Sequence, residues 1–438
     1  FNQDIGGWDI VNVNKLHETF NGASQFNQDI GGWTTTGVED MEETFLDAIA
    51  FDQDLSGWDI SSLTDATGMF SGTGLSTANY DALLTPWNNQ IPTAGIVFDG
   101  GNSFYCNSSA ARDSLSINRS WIITDNGYSC GDEFITTWKT DNTGTSGTTE
   151  IRISTRSDIY TYNYDVDWDN DGTFDEFGLT DDVTHDFGAA GTYTIRIQGT
   201  FPQIDFGSYD EEKIMSVDQW GTIAWESMAS AFSGCGNLQV YATDIPDLSN
   251  VDDLSGMFLQ AETMNANIGE WDVSTITDME FMFADCESFN QDIGGWDVSR
   301  VKNMQYMFSN CDVFNQDIDV WAVDSVTSMV SMFFSNWEFN QDLNSWNVSS
   351  VTDMSFMFIQ STVFNGDVTG WDVSNVTDMR YMFTSCDSFS QDISGWDVSS
   401  CLNMSDMFAQ TDVFNVDLSS WDVDSVESMA EMFRSSIY

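Results

Sequence analysis

The sequence predicts an α/β solenoid in two blocks, separated by a small β-sandwich. Each repeat of the solenoid would be a short strand, a turn and a short helix. Three observations carry this. Trp271, Trp296, Trp321, Trp346, Trp371, Trp396 and Trp421 recur at a step of 25 residues, as do Trp8, Trp33 and Trp58. The same step separates Phe258, Phe283, Phe308, Phe333, Phe358, Phe383, Phe408 and Phe433. A fixed period in this range marks coils that bury their apolar faces only against their neighbours. The period lapses between about 72 and 215. There Ile151-Arg152-Ile153, Tyr160 to Tyr164 and Tyr193 to Ile197 alternate with period two, as strands of an antiparallel sandwich do.

Within a repeat, Trp296 and Val298 would point the same way from a strand. Met304, Met307 and Phe308 fall at i, i+3 and i+4, one face of a helix. In the preceding copy Thr277 is placed to cap that helix. Ile276 and Phe281 are placed as a hydrophobic staple, with Tyr306, Phe356 and Tyr381 in the same staple position of other copies. Stacking would give a parallel sheet on one face and helices on the other. That is a leucine-rich-repeat-like geometry with Trp, Met and Phe as the core residues.

The pattern divides the chain into five stretches. Residues 1–94 read as the C-terminal part of a first solenoid, with repeats at Phe1 to Phe20, Phe26 to Phe45 and Phe51 to Phe70 and a degenerate turn at Tyr80 to Pro92. Residues 95–131 read as its C-terminal cap, because an open end would expose a layer of core. Residues 132–207 form the sandwich. Residues 208–244 read as an N-terminal cap, since Phe232 precedes Phe258 by 26 residues, one more than the step. Residues 245–438 are the second solenoid. One step beyond Phe414 falls one residue past Tyr438, where a copy of Phe1 would open the next repeat. The chain therefore reads as a piece of a longer array.

Lys and Arg number 12 against 70 Asp and Glu, a net charge of −58. Duplex nucleic acid and anionic membranes need clustered basic residues, so both are excluded as partners. Such a charge repels itself and suits salty or divalent-rich surroundings, where screening acts over about 10 Å or less. With 14% aromatic and 41% apolar residues the chain has enough to build cores. No apolar run is long enough to span a bilayer, so this segment is not expected to insert in a membrane. Of seven cysteines, Cys106 and Cys130 bracket a non-repetitive stretch and form a candidate disulfide. Cys286, Cys311 and Cys386 share one column and are expected as small buried apolar residues.

The period also stacks acids. Asp292, Asp317, Asp342, Asp367, Asp392 and Asp417 make one column; Asp272, Asp297, Asp372, Asp397 and Asp422 make another. Like charges about 4.8 Å apart cost about 1 kcal/mol per pair even in water. Either each Asp accepts backbone N–H groups at a turn, or cations line the columns. A sharper motif is Asp167-Trp168-Asp169-Asn170-Asp171-Gly172-Thr173-Phe174-Asp175-Glu176. Carboxylates at positions 1, 3 and 5 with Gly at 6 match the first half of an EF-hand loop, which suits Ca²⁺. Position 12 would be Gly178, so Asp175 or Glu176 would have to complete the shell. The alternative is an acidic hairpin turn without a metal. Catalysis finds little support. His17 and His185 are the two histidines, one in an edge repeat and one in the sandwich, and no nucleophile elbow or phosphate loop occurs.

The unit Phe-Asn-Gln-Asp-Ile-x-x-Trp-Asp-Val-Ser-x-Val-x-x-Met-x-x-Met-Phe closely resembles the bacterial surface-protein repeat of about 25 residues, found in BspA-like leucine-rich-repeat proteins and in lipoproteins of Listeria and Mycoplasma. The resemblance covers roughly 1–72 and 215–438. Val166 to Asp169, Val183 to Phe187 and Gly191 to Ile195 resemble a PKD domain, an Ig-like sandwich. The sequence departs from it in having Asp-Asn-Asp-Gly at the turn, which favours a metal there. These resemblances imply export, surface display and adhesion, and they supply no catalytic residue. The expectation is a non-enzymatic extracellular or cell-surface protein, an adhesin or a stalk or filament segment. Its partners would be glycans or proteins of neighbouring cells, or copies of itself. The alternatives are a specific binding module using the solenoid face, or a self-assembling sheath subunit.

Overall fold

The computed structural model describes residues 1–90, 92–127, 131–207 and 209–436. These divide into two units: Phe1–Asp132 with Asn170–Thr173, and Glu133–Asp169 with Phe174–Tyr438.

The expected strand-plus-helix repeat does not form. The regular structure of the chain is mostly β strands in mixed sheets with few helices, and among the described residues the coils after 245 contain neither helix nor extended strand. Met304 to Cys311 shows why. Alternate N–H groups leave the coil: Met304, Tyr306, Phe308 and Asn310 donate to the carbonyls of Ser328, Val330, Met332 and Phe334, one coil on. The N–H groups between them, of Met307, Ser309 and Cys311, close tight turns onto the residue three back. This alternation needs left-handed backbone, and Tyr306 (φ 58°) and Asn310 (φ 54°) supply it. Phe281, Phe356 and Tyr381 are left-handed too, so they are neither staple residues nor helical. Each such non-glycine residue costs about 1–2 kcal/mol. Bonds to the next coil and burial of the columns, about 1.5–3 kcal/mol for each large apolar side chain, offset it.

The parallel sheet is likewise reduced to one bridge per coil, along Asp253, Asp278, Asn303, Ser328, Asp353, Asp378, Asn403 and Ser428. The core columns themselves form as expected. The Trp, Phe and Met columns of the inner coils are buried, and successive rings stack, Trp321 on Trp346 at 6.5 Å and 2°. From Trp296 to Trp421 each indole of the column also reaches back one coil: Trp321 Nε1 donates to Ile293 O at 3.1 Å and Trp371 Nε1 to Leu343 O at 2.7 Å.

In the first unit the same coils run to about 72. Then α1 (Thr77–Asn89) starts at Ser76, whose hydroxyl accepts the Asn79 N–H, and buries Tyr80, Leu83, Leu84 and Trp87. The degenerate turn expected at Tyr80 to Pro92 is thus helical as far as Asn89. Beyond it β1 (Val97–Asp99) and β2 (Ile122–Thr124) pair in parallel, Val97 against Ile122, at the coil step of 25. Between them lie the short helix α2 (Ser109–Asp113) and a π-helical turn over Ser114–Asn118. Trp121 Nε1 donates to Thr93 O, 28 residues back, the spacing used by the repeat tryptophans. Two more coils are therefore present where no repeat is visible in the sequence.

The second unit opens with β3 (Phe134–Lys139), β4 (Glu150–Ile153), β5 (Asn163–Asp167), β6 (Glu176–Leu179), β7 (Val183–Asp186), β8 (Thr192–Thr200), β9 (Ile214–Gln219) and β10 (Gln239–Val240). One six-stranded sheet has the order β10-β9-β3-β8-β5-β6, and β4 pairs with β7. Ile151 and Ile153 of β4 join Phe134, Trp138, Tyr164 and Ile195 of the larger sheet in one core. That core continues without a break through Trp220, Trp225 and Phe232 to Met432. The parallel β9–β10 pair carries the sheet into the first coil of the stack.

Candidate functional site

The expected cation loop is the turn between β5 and β6. Gly172 (φ 86°) and Asn170 (φ 60°) take the left-handed backbone the turn needs. Asp167, Asp169 and Asp175 each present a carboxylate oxygen, all within 4.8 Å of one another. Asp175 is held by two bonds: its N–H donates to Val166 O, and its Oδ2 accepts the Trp168 N–H. Asp171 and Glu176 do not join the group. Asp171 Oδ1 accepts the Thr173 N–H, and Glu176 opens β6 opposite Val166. Asp167 is fully buried and lies 3.6 Å from the guanidinium of Arg196, also fully buried. Three of the five expected ligands are therefore brought together, with Asp169 and Asp175 facing solvent. The arginine already supplies part of the positive charge that Asp167 needs.

The acid columns are turn acceptors. Asp272, Asp292, Asp297, Asp317, Asp367, Asp372, Asp392, Asp397, Asp417 and Asp422 each accept the N–H two residues on. Asp342 accepts that of Asp367 in the next coil instead. Hydrogen bonds from the Ser299 hydroxyl and N–H hold the Asp297 carboxyl below its ordinary range, and Ser274, Ser394 and Ser399 do the same for Asp272, Asp392 and Asp397. The bridge column behaves differently. Burial, aided by the neighbouring charge of Asp353, pushes Asp378 up against the pull of Arg380.

His17 lies among turns, not in a helix, with Nδ1 3.2 Å from Glu42 and 4.0 Å from Asp40. Lys15 takes the other Asp40 oxygen at 3.0 Å. His185 stacks on Trp168 at 4.4 Å. Cys130 lies outside the described residues, so the expected pairing with Cys106 is only half described; Cys106 is in a disulfide. Cys286, Cys311 and Cys386 are free and buried. They are more than apolar filler: each thiol donates to the carbonyl 28 residues back, a place taken by hydroxyls at Ser361 and Thr411.

Two features escape a reading of the sequence. The Asn of Phe-Asn-Gln builds a side-chain ladder: Asn290 Oδ1 accepts the Asn315 N–H at 3.0 Å and the Gln316 amide at 2.7 Å. Its signal is the Asn-Gln pair itself, recurring at the coil step. The second is a set of aromatic rings outside the core columns. Phe281 stacks on Tyr306 at 4.5 Å and Phe356 on Tyr381 at 4.9 Å, all half-buried. Gly68 and Gly256 hold that same column in other coils. Exchange of Gly with Phe and Tyr is the sequence signal of a left-handed position.

No curated protein and no solved structure matches the chain. Residues 1–104, 226–342 and 327–437 match one family, together well over half of the sequence. By that match the chain belongs to the family described as "Mycoplasma protein of unknown function, DUF285".

Proposed function

We propose that the chain is a non-enzymatic, exported bacterial surface protein, an adhesin or extracellular stalk segment. The observation that carries this reading is the direct backbone bonding of every coil to the next, over one core continuous from Phe134 to Met432. Such a stack adds about 4.8 Å per coil and resists bending, because a kink would break several inter-coil bonds together. The resemblance of the repeat to bacterial surface proteins supports the same reading. Its partners would be glycans or proteins of neighbouring cells, or copies of itself. Calcium held by Asp167, Asp169 and Asp175 would stiffen the β5–β6 turn. Labelling of intact cells with a membrane-impermeant reagent tests the location. Labelling without lysis is expected; protection until lysis would overturn the reading.

A second reading, a specific binding module, is favoured by the half-buried pairs Phe281–Tyr306 and Phe356–Tyr381. Aromatic rings set outside a core offer stacking surface to a ligand. Loss of cell or ligand binding on replacing these four rings by Ser, with melting unchanged, would distinguish it.

A further inference from the structure

We propose that a cleft in the second unit, between the loop after β4 and the first coil of the stack, binds an uncharged saccharide. Its volume is about 490 Å³, within the range of about 300–1,000 Å³ usual for small-ligand sites. Arg156, Ile159 and Tyr160 line one wall; Ser227, Ser230 and Asp253 line the other. The walls are fixed. Tyr162 Oη donates to Gln203 O at 2.8 Å and accepts the Arg156 N–H at 2.9 Å, while the Gln203 amide donates to Ala229 O at 2.8 Å.

The cleft exists because a column is interrupted. Ser230 (φ 56°) and Gly256 (φ 60°) occupy the left-handed position that Phe281, Tyr306, Phe356 and Tyr381 fill in later coils. The two small residues lie side by side, since a Cβ on Gly256 would come within 3.3 Å of Ser230 Oγ. Where four later coils place rings, the first leaves space, and Tyr160 with the 58%-exposed Ile159 supplies the apolar wall beside it.

The chemistry of the lining selects the ligand. An aromatic ring next to hydroxyl, carboxylate and guanidinium groups suits a sugar, whose faces carry C–H bonds and whose edges carry hydroxyls that both donate and accept. Arg156 is already paired with Asp158 at 3.1 Å and Asp205 at 3.2 Å. With Asp253 the cleft is net negative, on a chain of net charge −58, so acidic sugars are repelled. The proposal deepens the adhesive reading by naming a ligand class. Binding in solution does not depend on where the protein resides, so either can fail alone.

The test is saturation-transfer NMR and calorimetry on the whole chain with lactose, maltose and chitobiose, with sialyllactose as the acidic control. At least one uncharged sugar is expected to bind with a Kd of about 1 mM or tighter, and sialyllactose about tenfold more weakly. Ser230→Tyr fills the cleft with a residue that two later coils carry at the same backbone angle, and Tyr160→Ala removes the ring. Each is expected to weaken binding about tenfold or more. The second variant keeps the test open if the first does not fold. No transfer from any uncharged sugar, equal or tighter binding of sialyllactose, or parental affinity in a folded variant would overturn the proposal.

Discussion

The indole of Trp321 hydrogen-bonds the carbonyl oxygen of Ile293 at 3.1 Å, one coil earlier in the stack. That oxygen also accepts the backbone N–H of Trp296 at 3.1 Å. From Trp296 to Trp421 each tryptophan of the column thus packs against its own coil and fastens it to the one before. Trp321→Phe keeps most of the apolar volume and leaves one lone pair of Ile293 bare, a loss of about 0.5–1.5 kcal/mol from the hydrogen bond. Trp321→Ala opens a cavity as well and is expected to cost about 3–5 kcal/mol. Trp8, 61% exposed, is the internal control; Trp8→Phe should stay within about 0.5 kcal/mol. Urea denaturation of the three variants checks this, and equal shifts for Trp8 and Trp321 would refute it.

The Asn ladder makes a separate prediction. Asn315 Oδ1 accepts the Asn340 N–H and the Gln341 amide, both at 2.9 Å. Asn315→Ala removes the one oxygen that accepts both bonds and is expected to cost about 1–3 kcal/mol, two bonds of about 0.5–1.5 kcal/mol each. Asn315→Asp keeps an oxygen in place, as Asp52 does when it accepts the Ser76 N–H. It should lie closer to the parent in a thermal melt. The reverse order of the two variants would count against the ladder as a source of stability.

The columns are legible in the sequence because one step of 25 fixes which residues stack, whatever the backbone between them does. The helix is not. Met304, Met307 and Phe308 recur at i, i+3 and i+4, but turns closing onto the third residue back put the same side chains inward. Only the glycines in the Phe281 column betray the left-handed backbone. The cation motif is similarly half legible. Its spacing shows in the sequence, yet the carboxylates that meet depend on an irregular β5–β6 register. Arg196 faces Asp167 only through the β5–β8 pairing, which no local pattern announces. The two coils at β1 and β2 lack the Trp-Asp-Val signature, so only their pairing reveals them.

Backbone handedness predicts opposite outcomes at two positions. Gln260 is exposed with φ 62°, so Gln260→Gly relieves strain of about 1 kcal/mol. After the greater freedom of glycine in the unfolded chain is subtracted, the change should be neutral to slightly stabilising. Gly101 has φ 63°, and a Cβ there would come within 2.0 Å of Phe70 O and 2.1 Å of Thr73 O. Gly101→Ala must move backbone and is expected to lower the melting temperature sharply. A tolerated Gly101→Ala would contradict the packing described for the β1 coil.

Stability should rise and then fall on acidification. Burial and acidic neighbours raise Asp378, Asp312, Asp387 and Glu212 above their ordinary range. A raised acid disfavours the folded state while it is charged, and protonation through its folded pKa removes that penalty as the pH drops. Loss of charge from the −58 chain acts in the same direction. Asp272, Asp297, Asp392, Asp397 and Asp417 are lowered by their turn hydrogen bonds. Their contribution is present above the unfolded pKa of about 3.9 and is lost as the pH falls through their lower folded values. Melting temperatures taken at intervals between about pH 7 and pH 3 should therefore pass through a maximum above about pH 4. A monotonic fall from neutrality would show that the raised acids carry no weight.

Calcium should act on the second unit through Asp169. A ligand that binds only the folded state stabilises it by about 2.7 kcal/mol at a hundredfold excess over its Kd. With Asp167 already facing Arg196, the exposed Asp169 and Asp175 would give the loop most of any sensitivity to an added cation. Millimolar calcium should raise the melting temperature and a chelator should reverse the rise. Asp169→Asn removes one negative charge at the solvent edge of the turn, so it should abolish the response to calcium. Magnesium should give a smaller response, because it demands a tight octahedron and gives up its waters reluctantly. A melting temperature indifferent to both calcium and chelator would leave the turn as an acidic hairpin held by Arg196 and its own backbone. An equal calcium response in Asp169→Asn would place the ion elsewhere on this strongly acidic chain.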